Sequence, residues 1–174
     1  LGGTLVVVAA GNSGNKPNIV ASPGGADEGL CVAASVDGMD HNWKFPAVTF
    51  TLPDTTVLQA QATEGSLTKP IAELGDDSKT SSGELVYIGL ANQDLNEEQK
   101  SALKGKVALI DRGLVTFAEK LKRAESAGAM GVVMVNNKKD EGPIGMDGDV
   151  KVTIPGIMIT QTLGNQIKEA LKKG

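Results

Sequence analysis

Few side chains in this 174-residue sequence have the chemistry for catalysis or metal binding. The one histidine, His41, lies between Asp40 and Asn42-Trp43 and reads as a surface or interdomain residue. The one cysteine, Cys31, sits in the apolar run Leu30-Cys31-Val32-Ala33-Ala34. It can form neither an intrachain disulfide nor a cysteine-based zinc cluster, and reads as a small buried apolar residue. Acids gather in the loop Lys138-Lys139-Asp140-Glu141-Gly142-Pro143-Ile144-Gly145-Met146-Asp147-Gly148-Asp149, but without EF-hand spacing, so no metal or cofactor is expected there. Loops between strands hold many recognition sites, and Lys139, Asp140, Glu141, Met146 and Asp147 are the candidate contacts for a substrate or partner. Met146 also reads, with Met130, Met134 and Met158, as core filler. One further polar motif, Ala9-Ala10-Gly11-Asn12-Ser13-Gly14-Asn15, closes an apolar run. Taken alone it is turn chemistry, because Asn and Gly both tolerate left-handed backbone angles.

These groups need a scaffold, and the composition restricts which. Apolar residues make up 40% and charged residues 22%, which fits one full globular domain plus a fragment. Only 3% of residues are aromatic, so the core must be built from Val, Ile, Leu, Ala and Met, and 22 glycines imply many tight turns. A net charge of −4 with interspersed lysines and arginines excludes nucleic acid as a partner, and no stretch reaches the roughly 20 apolar residues of a membrane span. Residue 1 opens directly into a glycine pair and a strand-like run, which reads as an internal cut.

Thr4 to Ala10 is continuously apolar and β-branched, as a parallel strand covered on both faces would be, and Leu30 to Ser35 repeats that character. From about Asp37 the texture changes. Val48 to Leu52 and Thr56 to Ala60 flank Pro53-Asp54-Thr55 as a hairpin would, and the polar stretch Glu64 to Ser82 reads as a loop. Strands are expected at Glu84 to Ile88, Lys106 to Ile110, Gly131 to Val135 and Ile154 to Ile159. Between them, Asn96 with Gln99 marks a short helix start. Thr116 with Glu119 forms a capping-box signature before the face Phe117, Leu121, Ala124, with Gly128 as the stop. Thr160 caps a last helix with Leu163, Ile167, Ala170 and Leu171 on its apolar face. Strands alternating with helices make an α/β domain to which the hairpin adds a β layer.

The motif at residues 9–15 resembles the oxyanion segment of subtilisin-like serine proteases; Ala21-Ser22-Pro23 matches that family's small-Pro element and Leu30 to Ser35 its next core strand. The resemblance implies that the Asn12 side-chain amide donates to the oxyanion in the parent enzyme. From about Val48 onward the chain resembles the protease-associated domain, most specifically in Gly105 to Gly113, Thr116 to Lys120, Ala124 to Ala129, Gly131 to Asn137 and Ile154 to Ile159. The match is nearest to domains inserted in secreted and cell-envelope subtilases. It implies a β/β/α swivelling-type fold, with a mixed sheet, an extra β layer and two to three helices, over residues 41–174. Residues 1–40 would then be two core strands of an incomplete subtilase domain.

In that family Asp and His precede the oxyanion Asn and the nucleophilic Ser follows it. His41 and Asp54-Thr55-Thr56 both follow Asn12, and no Gly-Thr-Ser-Met-Ala element occurs. The isolated chain is therefore expected not to hydrolyse peptides. The resemblance implies a role in gating or docking protein substrates at the protease cleft, the alternative being a purely structural insert that stabilises the parent. Arg112 is expected to pair with Asp111 or Glu119. The expected partners are the remainder of the parent protease and protein or peptide substrates, in a secreted or cell-envelope setting. Residues 1 to 35, without covering elements, are expected to dimerise or to fold back on the rest. In the full-length protease, Asn12→Ala is expected to lower kcat by on the order of 100- to 1,000-fold with KM little changed, because the donated bond forms mainly in the transition state; an unchanged kcat would remove Asn12 from the oxyanion hole.

Overall fold

The structure, a computed structural model, describes residues 7–10, 30–33, 46–73 and 82–173. The chain forms two compact units, Leu1–Trp43 and Lys44–Gly174. In the first, β1 (Val7–Ala9) pairs in parallel with β2 (Leu30–Val32), Val8 opposite Cys31. Sequence character predicts strands covered on both faces, yet Val7, Leu30 and Val32 are 56%, 51% and 51% exposed, and Cys31 is only half-buried. Nothing described in this unit lies over them. Asn12, His41 and the Ala21-Ser22-Pro23 element fall outside the described residues.

The second unit begins with a hairpin, β3 (Ala47–Thr51) and β4 (Val57–Gln61), paired with Phe50 opposite Leu58. Its turn is closed by Leu52 N–H donating to the Thr56 carbonyl at 2.8 Å and Thr56 N–H donating to the Asp54 carboxylate at 3.0 Å. The main sheet has the order β5-β9-β8-β7-β6, where β5 is Thr63–Glu64, β6 Leu85–Tyr87, β7 Val107–Asp111, β8 Gly131–Val135 and β9 Gly156–Ile159. Strands β6 to β9 are parallel, and β5 joins β9 antiparallel. The three helices are α1 (Glu97–Leu103), α2 (Phe117–Ser126) and α3 (Gln161–Leu171).

Each step from β6 to β9 moves one strand over in the same direction. Right-handed crossovers then place all three connections on one face of the sheet. On that face Leu103 of α1, Leu121 and Ala124 of α2, and Met146 and Val152 of the β8–β9 connection pack against Ala108, Ile110, Val132, Met134 and Met158. Alternate residues point the other way, as the strand period demands. Leu109, Val133, Val135, Ile157 and Ile159 meet Leu163 and Ile167 of α3 and Phe50 of the hairpin. Both strand faces are thus buried, which is why β7, β8 and β9 read as continuous apolar runs.

Helix boundaries follow the capping signals. Asn96 and Gln99 exchange hydrogen bonds of 2.8 and 3.0 Å, and Thr116 and Glu119 bonds of 3.3 and 3.0 Å. The Thr160 hydroxyl accepts from Leu163 N–H at 3.3 Å. Gly128, at φ 81°, ends α2 in the left-handed region. The stretch from Glu64 is more structured than its polarity suggests. It holds β5 and a 3-10 turn at Ile71–Glu73, and Leu67 and Thr68 are buried. Leu67 fills the crossover-face core, and its N–H and carbonyl pair with the Met146 carbonyl and Val152 N–H.

Gly164 decides how closely α3 lies on β8. A Cβ there would collide with both γ carbons of Val135, a buried β-branched side chain with little rotamer freedom. Ala is worth about 1 kcal/mol over Gly in a helix, whereas overpacking a core costs about 1–3 kcal/mol. Gly164→Ala is therefore expected to lower stability by up to about 2 kcal/mol in denaturant titration, and Val135→Ala in the same molecule to recover part of that loss. Additive losses in the double variant would show that the contact does not set the spacing.

Candidate functional site

The carboxyl-terminal ends of the parallel strands β6, β7 and β8 open onto one edge of the sheet. Three connections emerge there, around residues 88–95, 112–116 and 136–142. The last two are tied together by Arg112. Its Nη1 donates to Asn136 Oδ1 at 2.8 Å and to Glu141 Oε2 at 3.1 Å, and its guanidinium carbon lies 5.8 Å from the centre of the Phe117 ring. Asn136 is 1% exposed; its Nδ2 donates to Glu141 Oε2 at 3.0 Å and to the Gly142 carbonyl at 2.9 Å. The amide side chain thus serves as a buried hub whose acceptor and donors are all engaged.

Neither expected partner of Arg112 is its actual one. Asp111 accepts the Tyr87 hydroxyl at 2.6 Å and Lys168 Nζ at 2.9 Å, and Glu119 is committed to the Thr116 capping box. Burial, then the bond to the Asp111 carboxylate, pushes the Tyr87 phenol up to about 12. The third connection is held from α2. Lys120, fully buried, donates to the Leu90 carbonyl, and Arg123 Nη1 donates to the Ala91 carbonyl at 2.9 Å. Burial, then the positive charge of Arg123, lowers the Lys120 ammonium below its ordinary value.

Between these anchors the β7–α2 loop presents Leu114. It is 78% exposed and has φ 65°, held by the Gly113–Val115 pairing in which Val115 N–H donates to the Gly113 carbonyl at 2.9 Å. A non-glycine residue in the left-handed region that also offers a large apolar side chain to water is doubly unfavourable for stability alone.

Of the five sequence-derived contact candidates, Lys139 and Asp140 are exposed, the latter at φ 62°. Glu141 is half-buried in the Arg112–Asn136 knot, and Asp147 is exposed and accepts Ser66 N–H at 3.1 Å. Met146 is corrected: it is fully buried against Leu67 and Val152 and takes no part in a surface. Its backbone lies so close to Gly65 that a Cβ there would have no room. Leu114, Lys120 and Asn136 were not singled out by sequence reasoning. Asn136 ends a fully apolar strand and Lys120 interrupts the helix face of Phe117, Leu121 and Ala124, so the signal available was polarity where burial was expected. Among the described residues, no group of three or more His, Cys, Asp or Glu side chains could hold a metal ion.

The bond from Asn136, then the attraction of Lys138, holds the Glu141 carboxyl below its ordinary value of 4.5. A carboxyl depressed in the folded state stabilises the fold above its unfolded value, and that contribution is lost as the pH falls through the folded value. The 136–142 connection is therefore expected to stay closed at neutral pH and to open below pH 4.5, seen as faster exchange of the Gly142 and Asn136 amides. In Glu141→Gln this acid dependence should vanish; its persistence would place the acid-sensitive group elsewhere.

Residues 81–167 match the family model described as PA domain. The chain is 29% identical over 175 residues to the minor extracellular protease Vpr of Bacillus subtilis, covering 99% of the chain and 19% of that protein. It is 45% identical over 75 residues to aminopeptidase YwaD of Bacillus subtilis, covering 40% and 16%. A solved structure of BSAP, a zinc aminopeptidase from Bacillus subtilis, superposes with a TM-score of 0.52 at 27% identity, over 72% of the chain and 31% of that structure. The chain thus spans about a fifth or less of the curated relatives it matches. Vpr is named as an extracellular protease, and further relatives are the C5a peptidase of Streptococcus pyogenes, 34% identical over 83 residues, and the PII-type proteinase of Lactococcus lactis, 29% identical over 164 residues; the chain spans 7% and 8% of them. The family match covers half of the chain, including the four parallel strands β6 to β9 and the polar knot at their ends, and on that ground the chain belongs to the PA domain family.

Proposed function

We propose that the chain is a non-catalytic docking module in a secreted, subtilisin-like serine endopeptidase, guiding protein substrates to the protease cleft through the sheet edge around Leu114. The observation that carries this reading is Leu114 itself, exposed and in a left-handed conformation on a loop whose neighbours are pinned by buried polar groups. Such a loop is preorganised, so contact with an extended partner costs little ordering entropy. In this reading residues 1–40 belong to the catalytic core and contribute Asn12 to the oxyanion hole, and residues 41–174 form the inserted domain. Lys139 and Asp140 are exposed on the connection that flanks the same edge, whereas Asp147 lies beside Ser66 at the amino-terminal end of β9.

The BSAP structure and the YwaD match favour a second parent, a zinc aminopeptidase. Coverage favours the first. Vpr aligns over 99% of the chain, which takes in the unit Leu1–Trp43, whereas YwaD aligns over 40%.

Comparing the intact protease with a form lacking residues 41–174 separates docking from a purely structural role. Docking predicts a changed ratio of activity on a large protein to activity on a short peptide; a structural insert predicts a lower Tm with the ratio intact. Within the intact protease, Leu114→Asp is expected to raise KM for protein substrates about tenfold, the equivalent of about 1.4 kcal/mol for one apolar contact, with short peptides unaffected.

A further inference from the structure

The five-stranded sheet ends in two outer strands, and they are treated differently. An unpaired outer strand invites another strand, so proteins shorten, charge or cover it. On one side β5 is only two residues long and is tied inward, with Thr63 Oγ1 donating to the Pro143 carbonyl at 3.3 Å and Glu64 Oε1 accepting Ile71 N–H at 2.6 Å. On the other side stands β6, Leu85-Val86-Tyr87, strong strand formers with no proline or charge among them.

In a parallel pair, alternate residues turn their peptide groups to the neighbour. The Glu84 carbonyl accepts Val107 N–H at 2.8 Å and Ile88 N–H donates to the Leu109 carbonyl at 3.1 Å, so Glu84, Val86 and Ile88 face β7. Leu85 and Tyr87 therefore direct N–H and C=O away from the sheet, and among the described residues nothing pairs with them. The side chains restrict what could. Val86 packs on the crossover face and Leu85 on the other. Tyr87 shares the Leu85 face and is 43% exposed, its ring fixed by the bond to Asp111 and by Lys168 Nζ 5.5 Å from its centre.

A strand completing this side must offer an apolar residue opposite each of these three. β6 itself does so when turned end for end about Val86. Leu85 then lies opposite Tyr87 of the second copy, Tyr87 opposite its Leu85, and the two Val86 side chains meet. Both Leu–Tyr pairs exchange backbone hydrogen bonds, and the valines form the closer, non-hydrogen-bonded pair. No like charges are opposed, since Glu84 falls opposite Ile88 and is already paired with Lys106 at 2.7 Å. With the β5 side closed, pairing stops at two copies. We infer that the domain forms a two-fold dimer in which β6 pairs antiparallel with β6 of a second copy, making one continuous sheet. This interface rests neither on the Leu114 edge nor on residues 1–35.

The test uses the full 174-residue chain with Cys31→Ser, so that an added cysteine is the only thiol. Across a non-hydrogen-bonded pair the Cα atoms stand about 4.5 Å apart, within disulfide reach. Val86→Cys is expected to give a disulfide-linked dimer under mild oxidation. Glu84→Cys is more exposed but lies four residues out of register with its copy, about 13 Å along the strand, and is expected to stay unlinked. In sedimentation equilibrium the chain should show a monomer–dimer equilibrium, which Tyr87→Lys, by charging the outer strand, should weaken about tenfold or more. The cysteine variants keep Tyr87 and decide the matter should Tyr87→Lys fail to fold. A chain that is monomeric at every concentration, or Glu84→Cys linking as readily as Val86→Cys, overturns the inference. So does a dimer that persists in folded Tyr87→Lys, which would place the interface elsewhere.

Discussion

A right-twisted strand that feeds a crossover back to a parallel neighbour can turn only one way, and in this domain the turn is taken three times in the same direction. Everything else in the PA domain is arranged around that handedness. Because β6, β7, β8 and β9 step across the sheet in sequence order, α1, α2 and the irregular β8–β9 connection share one face. The opposite face is left for α3 and the β3–β4 hairpin, which bury Leu109, Val133 and Ile157 from the other side. It also collects the carboxyl-terminal ends of three strands at one edge, so connections far apart in sequence become neighbours there.

Proximity at that edge creates a problem that polar side chains resolve. The connections bring backbone carbonyls and a strand-terminal Asn136 into places that water does not reach, and buried polar groups are costly unless paired. Arg112, Lys120 and Arg123 supply the donors, reaching Asn136, Leu90 and Ala91 respectively. A single arginine serves two connections, since the same Nη1 meets Asn136 and Glu141. The loops are therefore rigid where they leave the strands, and Leu114 and Lys139 stand on supported ground.

Local signals in the sequence carried over to the structure where the physics is local. The Asn96–Gln99 and Thr116–Glu119 boxes, the Thr160 cap and the turn at Pro53-Asp54-Thr55 each depend on residues within four positions of one another. Burial on both faces made β8 and β9 legible as apolar runs. What could not be read is non-local. Leu67 and Thr68 are buried because the β8–β9 connection folds across them, with Thr68 Oγ1 donating to the Gly156 carbonyl 88 residues away. Met146 carries two readings in the sequence, core filler by its side chain and loop contact by its charged and glycine neighbours, and the same packing decides for the core. Arg112 had two acids nearby in sequence, but each was already engaged with a closer group, and its partners lie 24 and 29 residues on.

The titratable groups with the most altered environments also bear on what this domain does. A general base or nucleophile must be both reachable and easily deprotonated. Tyr87 is reachable but has its phenol held protonated, to about 12, by burial and by the adjacent Asp111 carboxylate. Lys120 is the reverse case: burial eases loss of its proton, but no part of the side chain is accessible and its ammonium is committed to the Leu90 carbonyl. Both perturbations are by-products of fastening strand ends and loops to helices. In the described part of this domain the altered ionisation thus sits on the groups that anchor the connections, while Leu114, Lys139 and Asp140, which stand on those connections, are exposed and have no part in the fastening.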